Sequence, residues 1–407
     1  MLDSAVVSHV DAEAERAIKR YLIAFENRSS VAIVAPDRVE MMSNQPWLAG
    51  WQVTDCTSRF EPTPAPEGVA TGDADELIFE SSGTVGDPKL VRYRKSTIRA
   101  CATAIAQTLG LDPDRKYISL VNPRFAYGLS IIHSHCIAGV PVQFRPTPVS
   151  VSEWAALRDV LRGNSTVYLV PHQSFWLAQD VSWRLDGPVE LIFAGTALTQ
   201  SMVDNLRPSF PNATVTNMYG QAELGPRVAT CRAAIDDFAE GDVGRPLPGV
   251  NVRVDARDDI DRGGNIVVDS PFRMSGYVTM SGADPNGSSQ RAVSNWWTTG
   301  DIGCLNKGHL HVLGRAADDV NFLGNRVRLH DVRAVVRSVP GVLDARVSAV
   351  PHQVYGQRPS VRVLVKAPND SVEMAVRKAL GHTMGAAAGA ILISIIDWAS
   401  LPESGKL

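Results

Sequence analysis

The chain has 407 residues, 44% hydrophobic and 20% charged. That is room for roughly two or three domains and the composition of an ordinary soluble globular protein. Its formal net charge of −3 offers no basic footprint, which argues against nucleic acid as a partner. The five cysteines, Cys56, Cys101, Cys136, Cys231 and Cys304, stand far apart without a C-x-x-C or zinc spacing, so free thiols in a reducing compartment are expected. Met1-Leu2-Asp3-Ser4 lacks the basic and apolar regions of a signal peptide. The apolar run from Ala386 to Ile396 is shorter than the ~20 residues that span a bilayer. A cytoplasmic protein without a membrane segment is the expectation.

Residues 9–28 place Val10, Ala14, Ala17, Ile18, Tyr21, Leu22 and Phe25 at helical spacing with acidic residues early, which predicts an amphipathic helix. Val31–Ala35 reads as a strand, and the Pro-rich residues 61–68 as a loop. Glu76–Glu80 is a short apolar strand entering Ser81-Ser82-Gly83-Thr84-Val85-Gly86-Asp87-Pro88-Lys89. Glycine-freed backbone N–H groups and hydroxyls beside a terminal cation suit the oxygens of a polyphosphate. The spacing is not that of the NTPase P-loop, because Pro88 stands where a glycine would be required.

Ser96 is placed to cap a helix running to Gly110. Strand Tyr117–Val121 leads into Pro123-Arg124-Phe125-Ala126-Tyr127-Gly128-Leu129. His133 and His135, in an apolar helical run without carboxylate or thiol neighbours, read as satisfied helix histidines. A helix over 152–162, strands 166–170 and 189–193, and a helix from Thr199 to Leu206 continue the alternation, which predicts a parallel sheet flanked by helices. Gly195-Thr196-Ala197 follows a strand at the position where such sheets bind ligands.

The Ser81–Lys89 stretch resembles the [ST]-S-G-[ST]-T-G-x-P-K phosphate loop of the adenylate-forming superfamily, the acyl- and aryl-CoA synthetases and their relatives. Val85 replaces a Thr. Six further segments resemble that family in its order. Pro123–Leu129 resembles the acid-pocket segment, and Gly195–Leu198 the turn beside adenine. Asn217-Met218-Tyr219-Gly220-Gln221-Ala222-Glu223 resembles N-x-Y-G-x-T-E, with Ala222 in place of Thr. Thr299-Gly300-Asp301 and Gly314–Val327 resemble the ribose-binding and hinge segments. Leu401–Lys406 resembles the terminal L-P-x-x-x-S-G-K loop. Residues 241–250 and 264–277 resemble the family's structural turn and strand pair, with no chemistry assigned.

The resemblance covers residues 75–407 and implies an α/β fold. A large N-terminal domain, 1–314, with mostly parallel sheets and a shortened start, would be joined by a hinge to a small α+β domain, 315–407. It implies ATP-dependent activation of a small carboxylic acid to an acyl-adenylate with release of pyrophosphate. Transfer to a thiol, coenzyme A first, would follow. ATP and AMP would contact Ser81, Ser82, Gly83, Thr84, Gly86, Lys89, Gly195, Thr196, Ala197, Asn217, Tyr219, Gly220, Asp301 and Arg315. Glu223 would hold Mg²⁺ and Lys406 would be the catalytic cation. Phe125, Tyr127 and Gly128 would line the acid pocket, and Gly324 would serve the thiol step. The usual Lys of the hinge segment is Asn321, and the pivot position is Ala317. A carrier-protein phosphopantetheine or an amine stays open as acceptor, and so does a degenerate nucleotide-binding sensor.

Overall fold

The computed structural model describes residues 7–9, 11–27, 30–45, 52–54, 60–62, 75–81, 89–148, 150–178, 183–255, 263–278, 295–315, 319–322, 325–352, 356–366, 368, 370–397 and 400. The chain divides into two compact units. The first comprises Met1–Arg253, Val267–Trp297 and Leu305–His311, and the second Val254–Ile266, Thr298–Cys304 and Val312–Leu407.

The first unit begins with β1 (Val7–His9), α1 (Ala12–Glu26), β2 (Val31–Ile33), α2 (Val39–Ser43), β3 (Gln52–Thr54) and β4 (Phe60–Pro62). Next come β5 (Glu76–Glu80), β6 (Leu90–Arg94), α3 (Lys95–Leu109), β7 (Lys116–Ser119), α4 (Ala126–Ala138) and β8 (Val142–Phe144). The helix–strand alternation continues through α5 (Val151–Val160), β9 (Ser165–Leu169), α6 (Gln173–Leu177), β10 (Val189–Phe193), α7 (Gln200–Leu206) and β11 (Thr214–Tyr219). The strands that follow are β12 (Ala229–Ala234), β13 (Asp242–Pro246), β14 (Asn251–Asp255), β15 (Gly264–Asp269), β16 (Gly276–Val278), β17 (Trp296–Asn306) and β18 (His309–Arg315), of which Val254–Asp255, Gly264–Ile266, Thr298–Cys304 and Val312–Arg315 are counted in the second unit.

One sheet runs β1-β8-β7-β9-β10-β11 with every pair parallel. It then turns antiparallel through β12, β13 and the start of β18. The parallel run follows from the intervening helices, which supply the crossovers that parallel neighbours need. A second sheet is ordered β16-β6-β5-β2-β3-β4. Leu77, Phe79, Val91 and Tyr93 of that sheet and Val142, Phe144, Tyr168 and Ile192 of the first share one buried cluster with α1, α3 and α4. Helix α4 is buried from Tyr127 to Cys136, as a helix apolar on every side must be. Its two histidines are satisfied as expected. Tyr21 Oη bonds His133 Nε2 at 2.6 Å. His135 bonds the Val140 carbonyl and Tyr168 Oη, each at 2.8 Å.

Helix starts differ from expectation where a neighbour decides them. Helix α3 starts at Lys95, not after a Ser96 cap. Lys95 is buried, and its ammonium donates to the carbonyls of Ala24, Phe25 and Asn27 at 3.1, 2.9 and 3.0 Å. A cation there meets the unpaired carbonyls and negative dipole end of α1. Helix α5 is capped by Ser150, whose hydroxyl accepts from the Glu153 N–H. Residues 264–277 hold the two expected strands, β15 and β16, but these do not pair with each other. A turn in which the Phe272 N–H donates to Ser270 Oγ redirects the chain, and β16 pairs with β6 instead.

The second unit contains β19 (Asp319–Phe322), β20 (Asn325–Arg328), α8 (Leu329–Arg337), β21 (Val342–His352), β22 (Gly356–Val365), α9 (Asp370–Met384) and β23 (Leu392–Asp397). Strand β22 pairs antiparallel with β21 and parallel with β23. Val332 and Val336 of α8 and Val376 and Leu380 of α9 pack on Val361 and Val363. No helix among the described residues is long and apolar enough to cross a membrane.

Candidate functional site

Strands β5 and β6 pair in antiparallel register, Glu76 opposite Arg94 and Glu80 opposite Leu90. The predicted phosphate loop is therefore the turn of a hairpin. Its base is closed where the Ser81 N–H donates to the Lys89 carbonyl at 2.8 Å. Ser82, Gly83, Thr84, Val85 and Gly86 lie outside the described residues.

The second predicted anchor, 217–223, leaves the carboxyl end of β11. The chain reverses there tightly, and the Val228 N–H donates to the Tyr219 carbonyl at 2.8 Å. Gly220 is required by this reversal. A Cβ on it would sit 2.0 Å from the Pro226 carbonyl oxygen and 2.9 Å from Arg227 Cα. Glu223 lies in a short helical turn, Ala222–Leu224.

Strand β6 brings hairpin and turn together. From β6, Tyr93 donates its hydroxyl to the Ala222 carbonyl and accepts from the Gly225 N–H at 2.9 Å. Beside it, Tyr277 of β16 stands opposite Val91 in the ladder. The Tyr277 hydroxyl donates to Glu223 Oε1 at 2.6 Å. Burial and the Glu223 carboxylate push the Tyr277 phenol well above its ordinary pKa, so it stays a donor. Lys89 Nζ lies 5.2 Å from the centre of the Tyr277 ring, within cation–π range. Loop base, cation and carboxylate thus form one connected group.

Behind them sits Arg227, 3% exposed, with its guanidinium 4.3 Å above the Tyr127 ring. It donates to Ser130 Oγ at 3.0 Å and to the Pro226 carbonyl at 2.7 Å. Among the described residues no carboxylate pairs with it, and its Nε has no partner. Burial lowers its pKa.

The other predicted positions fall as follows. Gly195, Thr196 and Ala197 form an exposed turn after β10, Gly195 at φ +101. Because β10 and β11 are parallel neighbours, with Phe193 opposite Asn217, this turn and Tyr219 leave the sheet at adjacent carboxyl ends. That is the ligand-binding edge of an open α/β sheet. Asn217 is buried, and its side-chain amide donates to the Asp242 carbonyl at 2.9 Å. Phe125 is half-buried with Arg124 over its ring. The Tyr127 hydroxyl donates to the Ile192 carbonyl at 3.0 Å. At Gly128 the structure supplies a packing reason: a Cβ would lie 2.2 Å from the Asn122 carbonyl oxygen.

In the second unit Arg315 Nε lies 3.2 Å from Asp301 Oδ1, and the Asp301 N–H donates to Thr299 Oγ1 at 3.0 Å. Gly324, Lys406 and Ala317 lie outside the described residues.

Sequence reading missed Tyr93, Tyr277, Ser130 and Arg227. The Gly276-Tyr277 pair was visible but carried no chemistry, and Arg227 stands only four residues beyond Glu223.

Residues 6–278 match the family described as AMP-binding enzyme. A 2-succinylbenzoate–CoA ligase of Geobacillus kaustophilus is 27% identical over 318 residues, 75% of this chain and 63% of that protein. The chain therefore matches less than two thirds of that relative's length. An O-succinylbenzoate coenzyme A synthetase of Bacillus subtilis, solved with ATP and magnesium ion, superposes with TM-score 0.66 at 19% identity, covering 99% of this chain and 95% of that one. An amide bond synthetase of Marinactinospora thermotolerans superposes with TM-score 0.64 at 22% identity, covering 98% and 87%.

Proposed function

The chain belongs to the AMP-binding enzyme family, and on that premise we propose that it activates a small carboxylic acid with ATP and passes the acyl group to coenzyme A. The observation that carries this reading is that Tyr93 of β6 holds the Glu223 turn, while Tyr277 of the neighbouring β16 holds Glu223 beside Lys89. The cation at the end of the loop and a carboxylate are thereby held beside one phenol. The name of the Geobacillus relative, a CoA ligase, supports the choice of acceptor.

In the first step an oxygen of the acid bonds to the α-phosphorus of ATP as the bond to pyrophosphate breaks. Lys89 and the N–H groups of the loop balance the phosphate charge, and Tyr219, beside the Gly195–Ala197 turn, faces the nucleoside. Glu223 fits a magnesium ion: Tyr277 holds Oε1, and Oε2 has no hydrogen-bond partner among the described residues. The ion would neutralise the leaving pyrophosphate. Tyr127, Ser130 and Arg227 form the wall assigned to the acid. Asp301 and Arg315 take the ribose. Lys406 supplies the cation for the transition state, and Gly324 belongs to the thiol step. A hinge following residue 314 separates the two steps. Catalysis on this reading rests on positioning and on charge placed where charge develops.

Pyrophosphate release with a panel of small acids tests the first step, and thioester formation with coenzyme A tests the second. Transfer to a carrier protein or an amine but not to coenzyme A would replace the acceptor. Lys406→Ala should slow acid-dependent pyrophosphate release by ~10²–10³ while leaving ATP binding intact. Unchanged release would remove Lys406 from the reaction.

A further inference from the structure

Away from the Glu223 group, three strands bring together a set of donors that the proposed reaction does not use. Cys231 lies on β12, Asp242 on β13 and His309 on β18. One donor atom from each lies within 4.8 Å of the other two. His309 Nδ1 stands 3.0 and 3.2 Å from the two carboxylate oxygens of Asp242. Tetrahedral binding at Zn–N, Zn–O and Zn–S lengths of about 2.0–2.3 Å requires donor separations of roughly 3.3–3.6 Å. The imidazole–carboxylate pair is already near that edge, and the thiol, no more than 4.8 Å from either partner, needs a shift of at most about 1 Å.

The backbone holds this arrangement. Gly244, at φ +73, lets β13 close on β12: a Cβ there would lie 2.6 Å from Cys231 Cα. The Gly244 N–H donates to Asp242 Oδ1 at 2.8 Å, and Asn217 donates to the Asp242 carbonyl. Such outer contacts orient a ligating carboxylate. His311 stands opposite Asp242 in the ladder. The His309 side chain is 38% exposed and that of Asp242 16%, so the cluster opens to solvent.

We propose that Cys231, Asp242 and His309 form a binding site for a zinc-class divalent ion, with a fourth position open to water or His311. Sulfur and imidazole donors select zinc and its neighbours, not magnesium, which takes oxygen donors. The site is therefore distinct in chemistry from Glu223. Binding replaces the thiol proton with the metal–sulfur bond and releases that proton to solvent.

The test is a titration of the metal-free full chain with Co²⁺ as a spectroscopic stand-in for zinc. A thiolate-to-cobalt charge-transfer band should rise to one equivalent and be displaced by Zn²⁺. Cys231→Ser should abolish the band. Cys304→Ser, which alters the other half-exposed thiol among the described residues, should keep it. His309→Gln should weaken Co²⁺ binding by at least the ~10–100-fold that loss of an outer contact costs. Zn²⁺ should raise the melting temperature of the unaltered chain but not of Cys231→Ser. Absence of the band in the unaltered chain, its survival in Cys231→Ser, or its loss in Cys304→Ser would each overturn the proposal.

Discussion

Replacing Tyr277 with Phe isolates one atom of the proposed site. The hydroxyl donates to Glu223 Oε1 at 2.6 Å, whereas the ring under Lys89 remains in Tyr277→Phe. A hydrogen bond to a charged group contributes about 1.5–3 kcal/mol. Here both residues are half-buried, so the lower end applies to stability. The functional effect is larger, because the carboxylate that would hold magnesium loses the contact that aims it. Loss of such an outer contact costs ~10–100-fold in metal affinity or activity. The half-saturating Mg²⁺ concentration for pyrophosphate release should rise by that factor, with urea unfolding shifted by only ~1.5 kcal/mol. In a Glu223→Gln background the same substitution should add little, since coupled positions do not add. An unchanged Mg²⁺ dependence in Tyr277→Phe, with the fold intact, would refute the reasoning.

Three further perturbations follow from the packing. Gly220→Ala forces a methyl against the Pro226 carbonyl and should cost ~1–3 kcal/mol. Urea unfolding reads that cost, and calorimetry with ATP should show weakened binding. Lys95→Met leaves the carbonyls of Ala24, Phe25 and Asn27 without their donor, at ~1–3 kcal/mol for each that water cannot reach; the urea midpoint should fall. Burial lowers the pKa of His133 to about 3 and those of His135 and His172 to about 4. Their folded-state values lie below the ordinary 6.5, so the unfolded chain binds more protons on acidification. Stability is complete above pH ~6.5 and is lost as pH falls towards ~4, with about three protons taken up on unfolding near pH 5. A flat stability between those limits would contradict the burial of the three imidazoles.

Local pattern carried most of the first unit. The strand at 76–80, the helix ending at Gly110 and the strand at 189–193 were legible because periodicity and glycine stops are local signals. What the sequence hid was pairing at long range. Tyr93 meets Ala222 across 129 positions, and nothing in either neighbourhood announces it. Lys95 reads in sequence as an ordinary surface cation beside Ser96. Only the fold shows that it closes the end of a helix some 70 residues earlier. The Cys231–Asp242–His309 cluster was illegible for the same reason. Its donors lie 11 and 67 positions apart, so no metal-binding spacing exists to be found.

The departure at Ala222 looks different once its contacts are known. A threonine there would offer a hydroxyl to the nucleotide, and its absence raised the reading of a degenerate nucleotide-binding protein. Yet the turn is anchored through the backbone of this residue, whose carbonyl accepts from Tyr93, and through the Gly225 N–H. Glu223 is set by Tyr277 and by the Met274 N–H donating to its carbonyl at 3.0 Å. None of these contacts needs the lost hydroxyl. The substitution therefore leaves the carboxylate held. A protein that had abandoned catalysis would have no reason to keep Glu223 held by a half-buried phenol beside Lys89. The arrangement supports the proposed ligase reading over that of a sensor.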